Sequence, residues 1–288
     1  MKRRDFLAAG ASIALFATSP RAYPQARIRF GYAAITWGGK DREAIDDIAA
    51  LGFRGIQLRG SAVHAWGDRP DELKGLLAQR RLEFVALSSG NLALDPAAET
   101  DSMEQHARHA AFMRAAGGRF LQVLDERPPG HNPIPDDYRR MGRLLSELGK
   151  RSADLGVALV YHNHMGALGE SPDAVARILD ASDPRVVHFL LDTAHYKQAG
   201  GDPAAAIRRH GSRIRLLHIK DLSGNKFVEL GRGTIDFAAV FTALDEIGYD
   251  GWGIVELDSV PGNANSPKES GAIARRYLES RKRWNDAS

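Results

Sequence analysis

LLDTAH (190–195) is an apolar run that breaks into a carboxylate, a hydroxyl and an imidazole at its C-terminal end. Three other stretches behave alike: VYHNH (160–164), LLHIKD (216–221) and IVELD (254–258). Taking His162, Asp192, His218 and Glu256 as reference points, the spacings are 30, 26 and 38 residues. Each gap has room for one loop, one helix and one return loop, the repeat of a βα unit. In a closed parallel barrel the C-terminal ends of all strands meet at one rim, where catalytic residues sit. The spacing therefore predicts that two imidazoles and two carboxylates converge there as a cage for a divalent cation.

Outward from these runs, apolar segments and helix signals alternate from residue 28 to the end. Strands are expected at 28–35, 55–59, 82–88, 120–124, 158–162, 187–192, 214–219 and 253–257. Helices are expected at 41–51, 69–79, 102–116, 136–155, 172–179, 203–210 and 237–247, and from 267 to about 283. Pro70 followed by Asp71 and Glu72 is one helix-start signal among several. Many of the strands are continuous Val/Ile/Leu runs, as buried parallel strands are. The pattern predicts an α/β chain forming a single (β/α)8 TIM barrel over 27–288. A doubly wound open sheet would carry a glycine-rich phosphate loop after the first strand, and 33–38 is not one.

The first 26 residues are set apart. Lys2-Arg3-Arg4-Asp5-Phe6-Leu7 has the form of a twin-arginine signature, followed by an apolar segment from Ala8 to Ala17. That segment is about half the roughly 20 residues of a membrane-spanning helix. The expectation is export by the twin-arginine machinery, as a folded protein, to the periplasm or another extracytoplasmic compartment. With no cysteine in the chain there is no acceptor for a lipid anchor, no disulfide and no thiolate ligand. The leader holds four of the 39 basic and one of the 36 acidic residues, leaving 35 of each. A neutral mature chain has no electrostatic footprint for nucleic acid or anionic membrane.

Asp192 emerges straight from Phe189-Leu190-Leu191, and a buried carboxylate needs a cation or a basic partner. His162 and His164 are expected to share one face of the fifth strand, with Asn163 on the other. His195, on the following loop, is within reach of a substrate. Lys220 shares a face with His218; it is either a donor to a substrate oxygen or a partner of Asp192 or Asp221. Asp258 projects with Glu256. Weaker candidates are Trp37 as a wall for a sugar face, Glu126 as a further carboxylate, and Ser88-Ser89-Gly90-Asn91 as polar contacts for a polyol. Glu170-Ser171-Pro172 reads as a helix cap rather than a site. Oxygen and imidazole donors point to Mn, Co, Mg or Zn.

In LDTAHYKQAGGDP (191–203), LHIKDL (217–222) and GYDGWGIVELD (248–258) the chain resembles the xylose-isomerase-like barrel superfamily of sugar isomerases and epimerases. With VYHNHMG (160–166), it is most similar to the inosose dehydratase branch and to related ketoglycoside-processing enzymes. The resemblance implies one divalent metal held by Glu, Asp, His and Glu. Asp192, His218 and Glu256 match the last three, and His195 matches a substrate-contacting histidine. His162 stands at the position of the first Glu. It also implies proton abstraction beside a carbonyl and a metal-stabilised enediolate. Glu256 is one candidate base, and His164 or Glu126 the second proton carrier.

The leading expectation is an isomerase or epimerase of a keto-sugar, ketoglycoside or related polyol, with a carbohydrate or inositol as its small-molecule partner. An inosose dehydratase-like lyase is the alternative. A sugar-binding protein without catalysis and an apurinic endonuclease are further readings, the last disfavoured by the neutral charge. Export, with no evident phosphate-cradling loop, argues for uncharged substrates. A homo-oligomer is compatible with all of these.

Overall fold

In the computed structural model, which describes residues 23–284, eight parallel strands close into a barrel. They are β1 (Arg27–Ala33), β2 (Gly55–Arg59), β3 (Glu83–Leu92), β4 (Phe120–Asp125), β5 (Ala158–His162), β6 (Val187–Asp192), β7 (Ile214–Ile219) and β10 (Asp250–Val255), with β10 pairing β1. The helices that cover it are α1 (Asp41–Ala50), α3 (Pro70–Gln79), α4 (Glu99–Ala116), α5 (Pro135–Asp154), α6 (Pro172–Asp180), α8 (Pro203–His210), α9 (Phe237–Glu246) and α10 (Pro267–Ser280). Short additions sit at the C-terminal rim: α2 (Ser61–Trp66), α7 (Thr193–Gln198) and a hairpin of β8 (Asp221–Ser223) and β9 (Lys226–Val228). The expected export signal at 1–26 lies outside the described residues except for 23–26.

The barrel is filled in layers, as inward side chains of alternating strands must do. Val85, Val160, Leu190, Leu216, Trp252 and Ile254 form an inner apolar cluster, distinct from the larger core between strands and helices. Gly55 makes room for the indole: a Cβ there would lie 2.5 Å from Trp252 Cζ3. Two residues beyond Val160, Leu190, Leu216 and Ile254 come His162, Asp192, His218 and Glu256. The pleat therefore aims all four inward, above the apolar plug.

Most expected elements fall within two residues of their structural bounds, with instructive exceptions. The last strand runs from Asp250 to Val255, not 253–257, so Glu256 stands just past its end. Strand β3 continues four residues beyond Ser88 because its register with β4 shifts between Ser88 and Asn91. His195 lies on helix α7 rather than in a loop, and Asp192 caps that helix. Ser171 caps α6, accepting from the Ala174 N–H, while Glu170 pairs with Arg127 at 2.6 Å.

Candidate metal centre

His162, Asp192, His218 and Glu256 each present a ligand atom within 4.8 Å of the others, and all four are buried. The hydrogen bonds around them fix which atoms are left over. Gln57, inward on β2, donates from Nε2 to Glu256 Oε2 at 3.3 Å, which turns its Oε1 toward His218 Nε2 at 3.0 Å. An amide oxygen only accepts, so His218 carries its proton on Nε2. Its Nδ1 stands 3.3 Å from Asp192 Oδ2 and 3.4 Å from Glu256 Oε1. One nitrogen and two carboxylate oxygens thus converge on one point.

The other oxygen of Asp192 is occupied, accepting from the N–H groups of Ala194 (2.8 Å) and His195 (2.9 Å). Burial alone would raise the pKa of Asp192; His195, Lys220 and His218 outweigh burial and hold it well below the ordinary carboxylate value. His162 is kept neutral by burial, reinforced by His218, and its Nδ1 has no partner. Ligand atoms about 2.0–2.2 Å from one ion stand roughly 3.3 to 4.4 Å apart, whether tetrahedral or opposed. The donor set, the orphaned nitrogen and the 3.3 and 3.4 Å separations at His218 Nδ1 fit a divalent cation, and the 4.8 Å bound on the whole set exceeds that range by a few tenths of an ångström. Outer contacts support it: Gln57 holds the distal nitrogen of His218, the usual arrangement around a metal-bound imidazole. Asn163 clasps the backbone of Asp192, accepting from its N–H at 2.9 Å.

Beside the cluster lies a line of proton-bearing groups. Lys220 is 0% exposed, with Nζ 3.1 Å from Glu256 Oε1 and 2.6 Å from Asp258 Oδ1. Burial would lower its pKa, but Glu256, Asp192 and Asp258 overcome this and hold it above the usual lysine value. Of the alternatives the sequence left open, a direct pairing with Asp221 does not form. Asp221 instead accepts from four N–H groups, those of Leu222, Gly231, Gly233 and Ile235, and so closes the loop after the hairpin. Phe227 of that hairpin packs under Lys220 at 4.1 Å and against His195 at 4.8 Å. His195 accepts at Nδ1 from the Met165 N–H (3.3 Å), so its proton is on Nε2, 3.4 Å from Lys220 Nζ. Burial depresses its pKa to about 4, and the ring is neutral at pH 7.

His164 does not share the strand face with His162, because β5 ends at His162. It lies in the turn, its ring centroid 4.0 Å from that of His195 and 5.7 Å from that of His162. Its Nδ1 donates to the Met165 carbonyl at 2.7 Å, leaving Nε2 as a lone pair. Glu126 is not in the four-residue cluster; it lines a cavity of about 580 Å³ with His164, Asn91 and Asp125. Trp37 is 3% exposed, donates its indole N–H to Asp47 (3.0 Å) and packs edge-on to Tyr32. That leaves no open face for a sugar, and its role is packing. Gln57 and Phe227 escaped sequence reasoning. A lone glutamine inside the apolar strand GIQLR (55–59) was the signal for the first; nothing local marks the second.

A family model described as a xylose isomerase-like TIM barrel matches residues 45–280. Inosose dehydratase from Lacticaseibacillus casei is 29% identical over 297 residues, covering 88% of this chain and 96% of that protein. A crystal structure of IOLI protein with a binding zinc atom superposes with TM-score 0.74 at 18% identity, covering 88% of this chain and 97% of that one. D-allulose 3-epimerase from Methylomonas sp. gives 0.73 at 21% identity, covering 91% and 100%.

Proposed function

Because the chain belongs to the xylose isomerase-like TIM barrel family, we propose that it is a sugar-modifying enzyme that removes the proton beside the ketone of a keto-sugar, ketoglycoside or inosose. The observation that carries this reading is the buried convergence of His218 Nδ1 with the Asp192 and Glu256 oxygens, which His162 completes within 4.8 Å. A divalent ion held by His162, Asp192, His218 and Glu256, of the Mn, Co, Mg or Zn type, would act as a Lewis acid on the ketone and its neighbouring hydroxyl. The chain's own groups complete the chemistry. Glu256 is the base: His218 and Lys220 outweigh its burial and keep it ionised at neutral pH. The Lys220 ammonium and the His195 Nε2–H are adjacent donors for the oxygen on which charge builds. His164, with a free Nε2, is the second proton carrier, and Glu126 is its nearest rival across the same cavity.

Loss of water is the outcome we place first, because relatives matching 88% of the chain are named inosose dehydratase. In that case Glu256 takes the proton and His164, once protonated, returns one to the departing hydroxyl. Isomerisation or epimerisation is the second reading, favoured by the pairing of a carboxylate base with a separate imidazole at one centre. Incubation of keto-sugars and inososes in deuterated water tests both. Dehydration lowers product mass by one water, whereas isomerisation conserves the skeleton and incorporates deuterium. Neither change, with the protein metal-loaded and every substrate class tried, refutes the proposal. We also propose export by the twin-arginine route; replacing Arg3 and Arg4 by Lys should retain the chain in the cytoplasm in a fractionation assay, and unchanged distribution refutes it.

A further inference from the structure

Helix α4 turns two histidines, His106 and His109, toward Ser89 on β3, and all three are buried. Ser89 Oγ is 2.5 Å from His106 Nδ1 and 2.8 Å from His109 Nδ1, and His106 Nε2 is 3.0 Å from the Asn91 carbonyl. These contacts allow one proton arrangement for neutral rings. The carbonyl only accepts, so His106 holds its proton on Nε2 and Nδ1 is an acceptor. The Ser89 hydroxyl therefore donates to His106 and accepts from the Nδ1–H of His109. Burial depresses the pKa of both histidines, so neutral is their state at pH 7. The chain of hydrogen bonds runs through His109 Nδ1 and leaves its Nε2 as the nitrogen without a proton.

His109 and Ser89 line a cavity of about 580 Å³, together with Arg59, Gly60, Ser88 and Arg108. This cavity opens at the same C-terminal rim as the metal cluster, beyond the ends of β1 and β2. Arg59 stands two residues beyond Gln57 on the inward face of β2 and pairs in register with Ser88, whose Oγ accepts from Gln122 at 3.4 Å inside the barrel. Gly38, Gly39 and Gly90 complete its wall at φ of 62°, 94° and 96°; a Cβ on any of them would meet nothing within 4 Å. No carboxylate lines the cavity. An oxyanion would suit the two guanidinium groups but would set its lone pairs against that of His109. A hydroxyl satisfies both, donating to Nε2 and accepting from a guanidinium N–H. Neighbouring hydroxyls on a ring present donors and acceptors in that alternation.

We propose that this cavity is a second sugar subsite, binding a polyhydroxylated ring linked to the one at the metal centre, so that the substrate is a two-ring ketoglycoside rather than a free keto-monosaccharide. The proposal rests on the reading of the central site given above and names its substrate class. The ratio of kcat/KM for a keto-disaccharide to that for the matching keto-monosaccharide reads the subsite during turnover. Maltose binding to the chelator-treated protein, by saturation-transfer NMR, reads it without chemistry. We expect His109→Leu to lower the ratio about tenfold and to abolish the maltose signal, since a hydroxyl loses its acceptor. The exposed Arg108→Gln, which cannot disturb the core, should lower both several-fold. Ratios and signal unchanged in a folded Arg108→Gln and His109→Leu would overturn the subsite, as would inorganic phosphate displacing maltose. Maltose binding in the expected pattern without turnover of any ketose would leave the subsite standing and remove the proposed reaction.

Discussion

Replacing Lys220 by Met removes one buried ammonium from between Glu256 Oε1 at 3.1 Å and Asp258 Oδ1 at 2.6 Å. At an effective dielectric of about 20, each contact is worth roughly 5–6 kcal/mol of direct attraction. Desolvation of the ions cancels much of that, and stripping one partner from a buried pair costs about 3–5 kcal/mol in practice. For a domain of this size, that corresponds to a melting temperature lower by roughly 10 °C. The pH dependence is the sharper signature. In the native chain Glu256 has a folded pKa below its unfolded one: burial raises it, but His218 and Lys220 more than compensate. Its stabilising contribution is present above the unfolded value, about 4.3, and is lost as pH falls through the folded one. Without Lys220, burial has less opposition, the folded pKa rises, and the penalty grows as pH climbs. The gap between variant and wild type should therefore be widest at pH 8 and narrow toward pH 4, in thermal melts of chelator-treated protein. A variant melting within about 2 °C of wild type at pH 8, or a gap that widens on acidification, would refute this account of the site's electrostatics.

Two further outcomes follow from neighbouring residues. Asp125, buried between the Tyr161 hydroxyl (3.0 Å) and the Gly169 N–H (2.6 Å), has its pKa pushed up to about 7 by burial. A raised carboxyl stabilises the fold below its unfolded value, near 4, and that stability is lost as pH rises through 7. Asp125→Asn, which keeps an acceptor oxygen, should thus stabilise the protein by up to about 4 kcal/mol at pH 8 and by nothing at pH 4. Urea unfolding at the two pH values checks this, and equal effects at both would contradict it. Gln57→Leu removes the acceptor for His218 Nε2 and a donor to Glu256, and should weaken metal affinity 10–100-fold. Competition against a coloured chelator measures that, and unchanged affinity would show that the amide orients nothing.

The barrel and the four central residues were legible because they follow from periodicity. Apolar runs broken at their C-terminal ends by ligand-type side chains place those side chains at one rim once the runs are parallel strands. Parity along each strand does the rest, since His162, Asp192, His218 and Glu256 each stand two residues beyond an inward apolar residue. What the sequence concealed has no period. The turn that brings His164 against His195 rather than beside His162 depends on where β5 ends. Phe227 reaches Lys220 through a two-strand hairpin whose six residues carry no strand alternation. The sequence left Lys220 open between a substrate oxygen, Asp192 and Asp221; Asp221, its immediate neighbour, is consumed by backbone N–H groups ten to fourteen residues later. Trp37 looked like a sugar wall, and only its contact with Asp47 across ten residues shows it as packing.

Metal content bears on the central claim most directly. The purified chain, stripped by chelator and re-equilibrated with Mn, Co, Mg or Zn, should hold one divalent ion per polypeptide by elemental analysis. A His218→Ala chain with native circular dichroism should hold none at the same free-metal concentration. A folded wild-type protein that retains no ion from any of the four, or a His218→Ala variant that retains as much as wild type, would contradict the account.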